Sequence, residues 1–395
     1  MESRIGDMIC CNPTVKLKKG ELYPVVNIED ISIENKYVYS KECIEYNGQS
    51  SSKFENGDTL FARITPCLEN GKIAQCRING KGFGSTELFV FRGIPGKTDN
   101  DYVYYLMSSK YIRDLSANSM TGASGRQRAD LKFIKRIKWD FPTIPMQEKI
   151  VSKIKKYDDL IDINNNRILL LQDTIEEIYK EWFIRFRFPN HENEHIEKGI
   201  PSKWVIKKIK DYGTVITGKT PSTKRNDYYG NDYLFIKTPD MHDNFFVIDS
   251  EEKISVLGDK SQKKCRLPKD SIMVSCIGTG GVVSINKYEA HTNQQINSIV
   301  LDNKDYLGWL FLTLKSMKKT IIMFGNTGTT MTNLSKGKFE NLKVLEPNKE
   351  IIDEFNKIVV PILNEIYFLQ ESNKNLLTQK ELVLPKIMSG KVIKE

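Results

Sequence analysis

Residues 145–186 read PMQEKIVSKIKKYDDLIDINNNRILLLQDTIEEIYKEWFIRF. Within this stretch Ile150, Ile154, Tyr157, Ile161, Asn164, Ile168, Leu171, Ile175, Ile178 and Trp182 recur at alternating spacings of four and three. The positions between them are largely Lys, Glu, Asp and Asn. Apolar residues repeating about every 3.5 positions keep one seam of a helix against a partner helix, so the stretch predicts half of a coiled coil. It opens at Pro145, which a first helical turn tolerates. It closes on the aromatic and basic run Trp182-Phe183-Ile184-Arg185-Phe186, ahead of Pro189.

A second stretch after Pro347 has the same spacing: Ile352, Phe355, Val359, Ile362, Ile366, Leu369, Asn373, Leu376, Lys380 and Val383, with Ile387 continuing it. Pro361 predicts a kink or a later helix start, and Pro385 and Gly390 suit a terminus. Laid antiparallel with Asn164 against Asn373, the two seams match. Ile150 meets Ile387, Ile154 meets Val383, Ile161 meets Leu376, Ile168 meets Leu369, Ile175 meets Ile362 and Trp182 meets Phe355. Only Tyr157 against Lys380 mixes polarity. A buried amide pair lowers stability but fixes register, since any slip buries each amide alone. The competing reading packs each helix separately on its own domain and makes the match accidental. Leu160, Leu169, Leu170, Tyr179 and Phe183 fall off the seam and predict an apolar surface for partners.

The flanking segments repeat as well. Gly122, Gly125 and Leu131 precede the first helix as Gly325, Gly328 and Leu334 precede the second, each 203 positions on. Gly57-Asp58-Thr59-Leu60-Phe61-Ala62 parallels Lys269-Asp270-Ser271-Ile272-Met273-Val274, a turn feeding a strand. Strand-like runs such as Glu87–Arg92 and Ile296–Leu301 alternate with short helical ones. The layout is therefore domain, long helix, domain, long helix: an internal two-fold repeat of α/β (α+β) domains.

Composition narrows the class. Over 395 residues the hydrophobic fraction is 39% and the charged fraction 28%, which suits a folded globular chain and not a disordered one. No run approaches the ~18 apolar residues of a membrane span, and Met1-Glu2-Ser3-Arg4 leads into no apolar signal core, so a cytoplasmic location is expected. Seven cysteines without a C-x-x-C pair, and only four histidines, argue against a disulfide framework or a zinc site. The formal charge of +9 favours a polyanionic partner.

Several stretches together resemble the specificity subunit of type I restriction–modification systems, over essentially the whole chain. They are Gly57 to Pro66 with Glu69-Asn70-Gly71-Lys72, then Gly84-Ser85-Thr86-Glu87-Leu88, and the helix entry Ile144-Pro145-Met146-Gln147-Glu148-Lys149-Ile150. Trp204, Gly218-Lys219-Thr220-Pro221 and the close Leu384-Pro385-Lys386-Ile387-Met388-Ser389-Gly390 complete the set. Asn348-Lys349-Glu350 stands where the second helix entry usually carries glutamine. The resemblance implies two target-recognition domains at opposite ends of an antiparallel two-helix coiled coil, each reading half of a split double-stranded DNA sequence. It divides the chain into a first recognition domain (1–144), a first spacer helix (145–187), a linker (188–200), a second recognition domain (201–346), a second spacer helix (347–388) and a tail (389–395). It also implies that the helices measure the unread spacer and dock two methyltransferase subunits, with restriction/translocase subunits in the full complex. Some ~35 helical residues span roughly 50 Å, about one and a half turns of B-DNA. No cofactor is expected on this chain; by the resemblance, S-adenosylmethionine, ATP and magnesium belong to partner subunits.

Base readout needs hydrogen-bonding side chains on loops that a scaffold presents to a groove. The candidates in the first half are Ser124, Arg126, Gln127 and Arg128 in a glycine-bearing loop, with Arg126 and Arg128 as the leading pair, and Arg63 and Lys72 flanking a second loop. Those in the second half are Lys219, Thr220, Lys224, Arg225 and Tyr228, then Thr279, Asn293, Gln294, Asn326 and Thr327. Each has a plainer reading as a solvated loop residue. Enzyme readings fare worse. Gly213-Thr214-Val215-Ile216-Thr217-Gly218-Lys219-Thr220 spells a phosphate-binding loop, but lacks the preceding buried strand and following helix that such a loop needs. Gly278-Thr279-Gly280-Gly281 lacks the rest of a dinucleotide fingerprint. No methyltransferase or nuclease motif is found, so no catalytic residue is expected.

Overall fold

A computed structural model describes residues 2–122, 126–326 and 332–388. The chain divides into two compact units, Met1–Asn165 with Asn373–Glu395, and Asn166–Ser372. Each has its own apolar core.

The first unit is built on a five-stranded sheet in the order Ile9–Cys11, Leu88–Gly93, Thr59–Ala62, Ile73–Arg77, Tyr37–Tyr39. The second unit repeats this with Gly213–Thr217, Ile296–Leu301, Ile272–Ser275, Val283–Asn286 and Phe246–Val247. In both sheets the last pair is parallel and the others antiparallel. The central strands are apolar on both faces because both faces are covered. Phe61 enters one core layer and Leu60 and Ala62 the other; Val274 and Met273 divide in the same way. Each unit adds a smaller sheet containing one parallel pair, Leu22–Val26 with Lys81–Gly84 and Tyr229–Ile236 with Ala290–Thr292.

The repeat is thus structural, but its alignment differs from the one read in the sequence. Thr59 pairs with Gln75 and Phe91 as Ile272 pairs with Ile285 and Ile299. Gly57 therefore corresponds to Asp270, one position away from the sequence match, and both sit at positive φ, 87° and 61°. A one-residue slip in a strand exchanges its faces, so the pleat overrides the letter match. Near the helix entries the shift is two: Ala129, not Leu131, corresponds to Leu334. Ala129 N–H donates to Arg63 O and Leu334 N–H to Cys276 O, at 2.8 and 2.9 Å.

The first long helix covers Ile144–Tyr179 and widens into a π turn over Lys180–Ile184. The second covers Lys349–Met388 and passes through Pro361 without the later start that the proline suggested. Pro361 is exposed, as is Lys357, whose carbonyl loses its helical partner to the proline ring. In the first unit Asn164 Nδ2 donates to Asn373 Oδ1 at 2.8 Å, and Asn373 Nδ2 donates to Asn165 Oδ1 at 2.8 Å. Ile150, Ile154 and Ile387 share that unit's core, with Val383 packed against it. In the second unit Trp182 stacks on Phe355 at 5.6 Å between ring centres, and Ile168, Ile175, Val359 and Ile366 line the seam. The two helices run antiparallel in each.

Two expectations about these helices are corrected. Lys380 does not simply face Tyr157: its ammonium donates to buried Asp158 at 2.7 Å, whose other oxygen accepts Tyr105 OH at 2.7 Å. Tyr179 and Phe183 are buried, not displayed, because the second unit folds over them: Tyr179 OH bonds Thr313 Oγ1 at 3.2 Å, and Phe183 packs on Trp204, Trp309 and Phe355. Leu160, Leu169 and Leu170 do stay exposed, joined by Ile163, Phe368 and Leu382.

The α/β fold of the first unit is fastened to its helix by polar contacts. Buried Gln147 accepts from Asp99 N–H and donates to the carbonyls of Lys97 and Pro142, each at 2.9 Å. Tyr37 OH donates to Asp159 at 2.5 Å and Tyr39 OH to Asp162 at 2.7 Å. Lys36, fully buried, pairs with Asp101 at 2.5 Å, and Lys155 holds the other Asp101 oxygen at 2.8 Å.

Candidate nucleic-acid interface

In the first unit the candidate side chains gather where two central strands end. Register pairs Ala62 with Leu88, so Arg63 leaves its strand opposite Glu87, and Arg63 N–H donates to Glu87 O at 3.0 Å. The loop beyond is closed by Thr121 and Arg128, which exchange backbone bonds of 3.1 and 3.0 Å, and is tied down by Thr65 N–H on Gln127 O. Gly122, at φ 125°, lies in a region that side chains rarely adopt.

Glu87 is the centre of this site. Arg63 Nε donates to its Oε2 at 3.2 Å; Arg128 donates through Nε at 2.9 Å and Nη2 at 2.6 Å. The Arg128 hydrogen bonds, with help from Arg63, hold the Glu87 carboxyl below the usual carboxylate range. Charge-assisted bonds of this kind fix geometry as well as charge. Arg63 also lies over the Phe89 ring, 5.4 Å from its centre. An open cleft here is lined by Asn12, Arg63, Phe89, Arg128, Asp130, Lys132 and Lys135, four cations against one carboxylate.

The sequence candidates distribute unevenly. Arg126 is exposed and Gln127 half-buried, while Arg128 shares the Glu87 carboxylate with Arg63. Lys72 is committed elsewhere, donating to Ile28 O at 3.0 Å. Ser124 and Thr327 lie outside the described residues. Glu87, in the stretch Gly84–Leu88, carries no signal in the sequence that marks it as the shared partner. Its partners are 24 and 41 positions away, and only the strand register joins them.

In the second unit Lys219, Thr220, Thr279, Asn293 and Gln294 collect at the corresponding strand ends. Lys219 N–H donates to Thr292 O at 2.8 Å, Thr220 Oγ1 to Gln294 Oε1 at 2.7 Å, and Asn293 Nδ2 to Gln295 Oε1 at 3.2 Å. Ser275 Oγ donates to Thr279 O at 2.6 Å. Lys224, Arg225 and Tyr228 belong to a separate exposed segment, where Arg225 forks onto Asp227 and lies 4.7 Å above the Tyr228 ring. Asn326 is exposed past a helix end, its N–H on Ile322 O at 3.0 Å. The phosphate-loop pattern is strand from Gly213 to Thr217, and no helix begins at Lys219.

Strand register makes the two sites comparable residue by residue. Arg63, Ile64, Glu87 and Arg128 correspond to Cys276, Ile277, Gln295 and Asn333: Ile64 bridges Arg128 as Ile277 pairs with Asn333. Three of these four positions are charged in one unit and neutral in the other, and the fourth is isoleucine in both. Among the described residues no group of His, Cys, Asp and Glu is arranged to hold a metal ion, and no helix is long and apolar enough to cross a membrane.

Comparison with known proteins follows the same two-fold pattern. The model of the type I restriction modification DNA specificity domain matches residues 1–172 and again 201–380. The HindI type I restriction enzyme specificity subunit of Haemophilus influenzae is 26% identical over 434 residues, covering 93% of this chain and 94% of its own. The MjaIX type I restriction enzyme specificity subunit of Methanocaldococcus jannaschii is 25% identical over 74% of this chain and 69% of its own. Among solved structures, the type I restriction–modification S subunit from M. genitalium shares the fold, with a TM-score of 0.55 at 14% identity over 98% of this chain and 95% of that one.

Proposed function

This chain belongs to the type I restriction modification DNA specificity family, and from that membership we propose that each of its two units reads one half of a split, asymmetric DNA target. The observation that carries the reading is the pairing of one scaffold with two different sets of side chains. Two copies of the same strand order present Arg63, Glu87 and Arg128 in one unit and Cys276, Gln295 and Asn333 in the other. A symmetric reader would have no use for that difference. The cationic cleft and the +9 charge supply the phosphate attraction that any duplex binder needs. Arg126, Gln127, Lys219, Thr220, Thr279, Asn293, Gln294 and Asn326 are the further readers or phosphate contacts; Lys224, Arg225 and Tyr228 form an outlying contact strip.

The chain itself is the non-catalytic member of the assembly. Methyltransferase and restriction subunits carry the chemistry, together with S-adenosylmethionine, ATP and magnesium. Exposed Leu169, Leu170 and Phe368 on the long helices suit docking of the methyltransferase subunits, and the helices set the length of the unread spacer.

A genome-wide map of modified adenines, with the gene intact and deleted, tests this. Loss on deletion of one motif with two short specific halves around a fixed spacer is the expected result. Identical maps from a host whose neighbouring methyltransferase is expressed and co-purifies with the chain would refute it.

A further inference from the structure

Arg63 and Arg128 share one carboxylate, but they do so differently. Arg128 commits two nitrogens, Nε and Nη2, to Glu87. Arg63 commits only Nε. Among the described residues nothing bonds its two terminal nitrogens, and its guanidinium rests on the buried Phe89 ring in the mouth of the cleft. An arginine gripped at Nε and backed by an aromatic face has lost most of its rotamer freedom, yet its side chain is 31% exposed and its two terminal donors stay available to a ligand. Guanine is the base whose major-groove edge offers two adjacent acceptors, O6 and N7, to such a fork. Lys132 and Lys135 on the same cleft wall are placed for the flanking phosphates.

We propose that Arg63 is the guanine-reading residue of the first unit, and that Glu87, buttressed by Arg128, is the positioning residue that aims it. The inference rests on the half-site reading proposed above. It assigns a guanine to the half of the target read by residues 2–165 and none to the corresponding place in the other half, where Cys276 replaces the arginine and is buried.

The test uses the full complex of the chain with its methyltransferase subunits, expressed in a host without other modification, and a map of the modified motif for the unaltered chain, Arg63→Ala and Glu87→Gln. The unaltered chain should modify a split motif with guanine in one half. Arg63→Ala should lose roughly ten- to one-hundred-fold discrimination at that one guanine and keep the others. Glu87→Gln, which keeps the shape but removes the charge, should relax the same position. A purely structural Glu87 would lower modification at all positions alike and overturn its positioning role. An unmoved motif with Arg63→Ala, or relaxation at A, C or T, overturns the assignment. If the unaltered chain modifies no split motif, the underlying reading falls and this inference with it. Should a variant fold poorly, the unaltered complex still decides. Replacing each guanine of the target in turn by 7-deazaguanine, which lacks N7, should weaken binding at least about tenfold at one position of that half. Insensitivity at every guanine overturns the proposal.

Discussion

At the scale of single residues, the first unit is held by charges that its interior would not accept singly. Lys36 is wholly buried, and burial pulls its pKa down while Asp101 opposes the shift. Asp101→Ala would strand that ammonium, and we expect a loss of about 3–5 kcal/mol in urea unfolding. The double change Lys36→Met with Asp101→Leu should recover most of it; equal losses for both would sink the account. In the second unit, burial holds the His291 pKa below its ordinary 6.5, although Nε2 contacts Asp259 at 2.9 Å. As pH falls through 6.5 the unfolded chain takes up a proton that the folded site refuses, so stability is full above that value and declines below it. His291→Gln should flatten this slope in a series of melting curves; an unchanged slope would place the titrating group elsewhere. Sequence alone proposed Arg63 and Arg128 as separate candidates, on two different loops, and the structure joins them on one carboxylate. The sequence missed Glu87, whose partners arrive from two other segments through strand register.

At the scale of elements, the heptad period was legible because it is local, and so was the Asn164–Asn373 layer. What lay beyond reach was the second contact of each polar group: Asn373 also serves Asn165, and Lys380 finds Asp158. Asn373→Leu therefore leaves two amides without their partner and should cost roughly 2 kcal/mol. Asn164→Leu combined with Asn373→Leu should melt higher than Asn373→Leu alone but form disulfides between engineered seam cysteines in more than one register. A single register in that double variant would show that the apolar layers suffice to align the helices. The missing glutamine of the second helix entry also acquires a meaning. Gln147 makes three bonds into the first fold, whereas Lys349, two positions after Pro347 as Gln147 is two after Pro145, pairs with Asp305 at 3.1 Å and with Asp353 on its own helix.

At the scale of the whole molecule, the repeat could be seen in the letters but was aligned one or two positions out, because letters do not report which face of a strand is buried. Gly57 and Asp270 share a left-handed turn that no similarity of side chains would have matched. If the helices measure the spacer, adding one heptad to each at matching seam positions adds ~10 Å, close to three base pairs at ~3.4 Å each. Methylation mapping should then show the same half-sites with a longer gap, and an unaltered gap would refute the ruler. One consequence concerns synthesis. Asn164 awaits Asn373, 209 positions later, and Ile150 and Ile154 share their core with Ile387. A ribosome thus delivers the first unit's opening residues early and its closing helix only after the whole of residues 166–372 has emerged, so the half translated first is the half completed last, its apolar seam waiting for a partner helix in the interval.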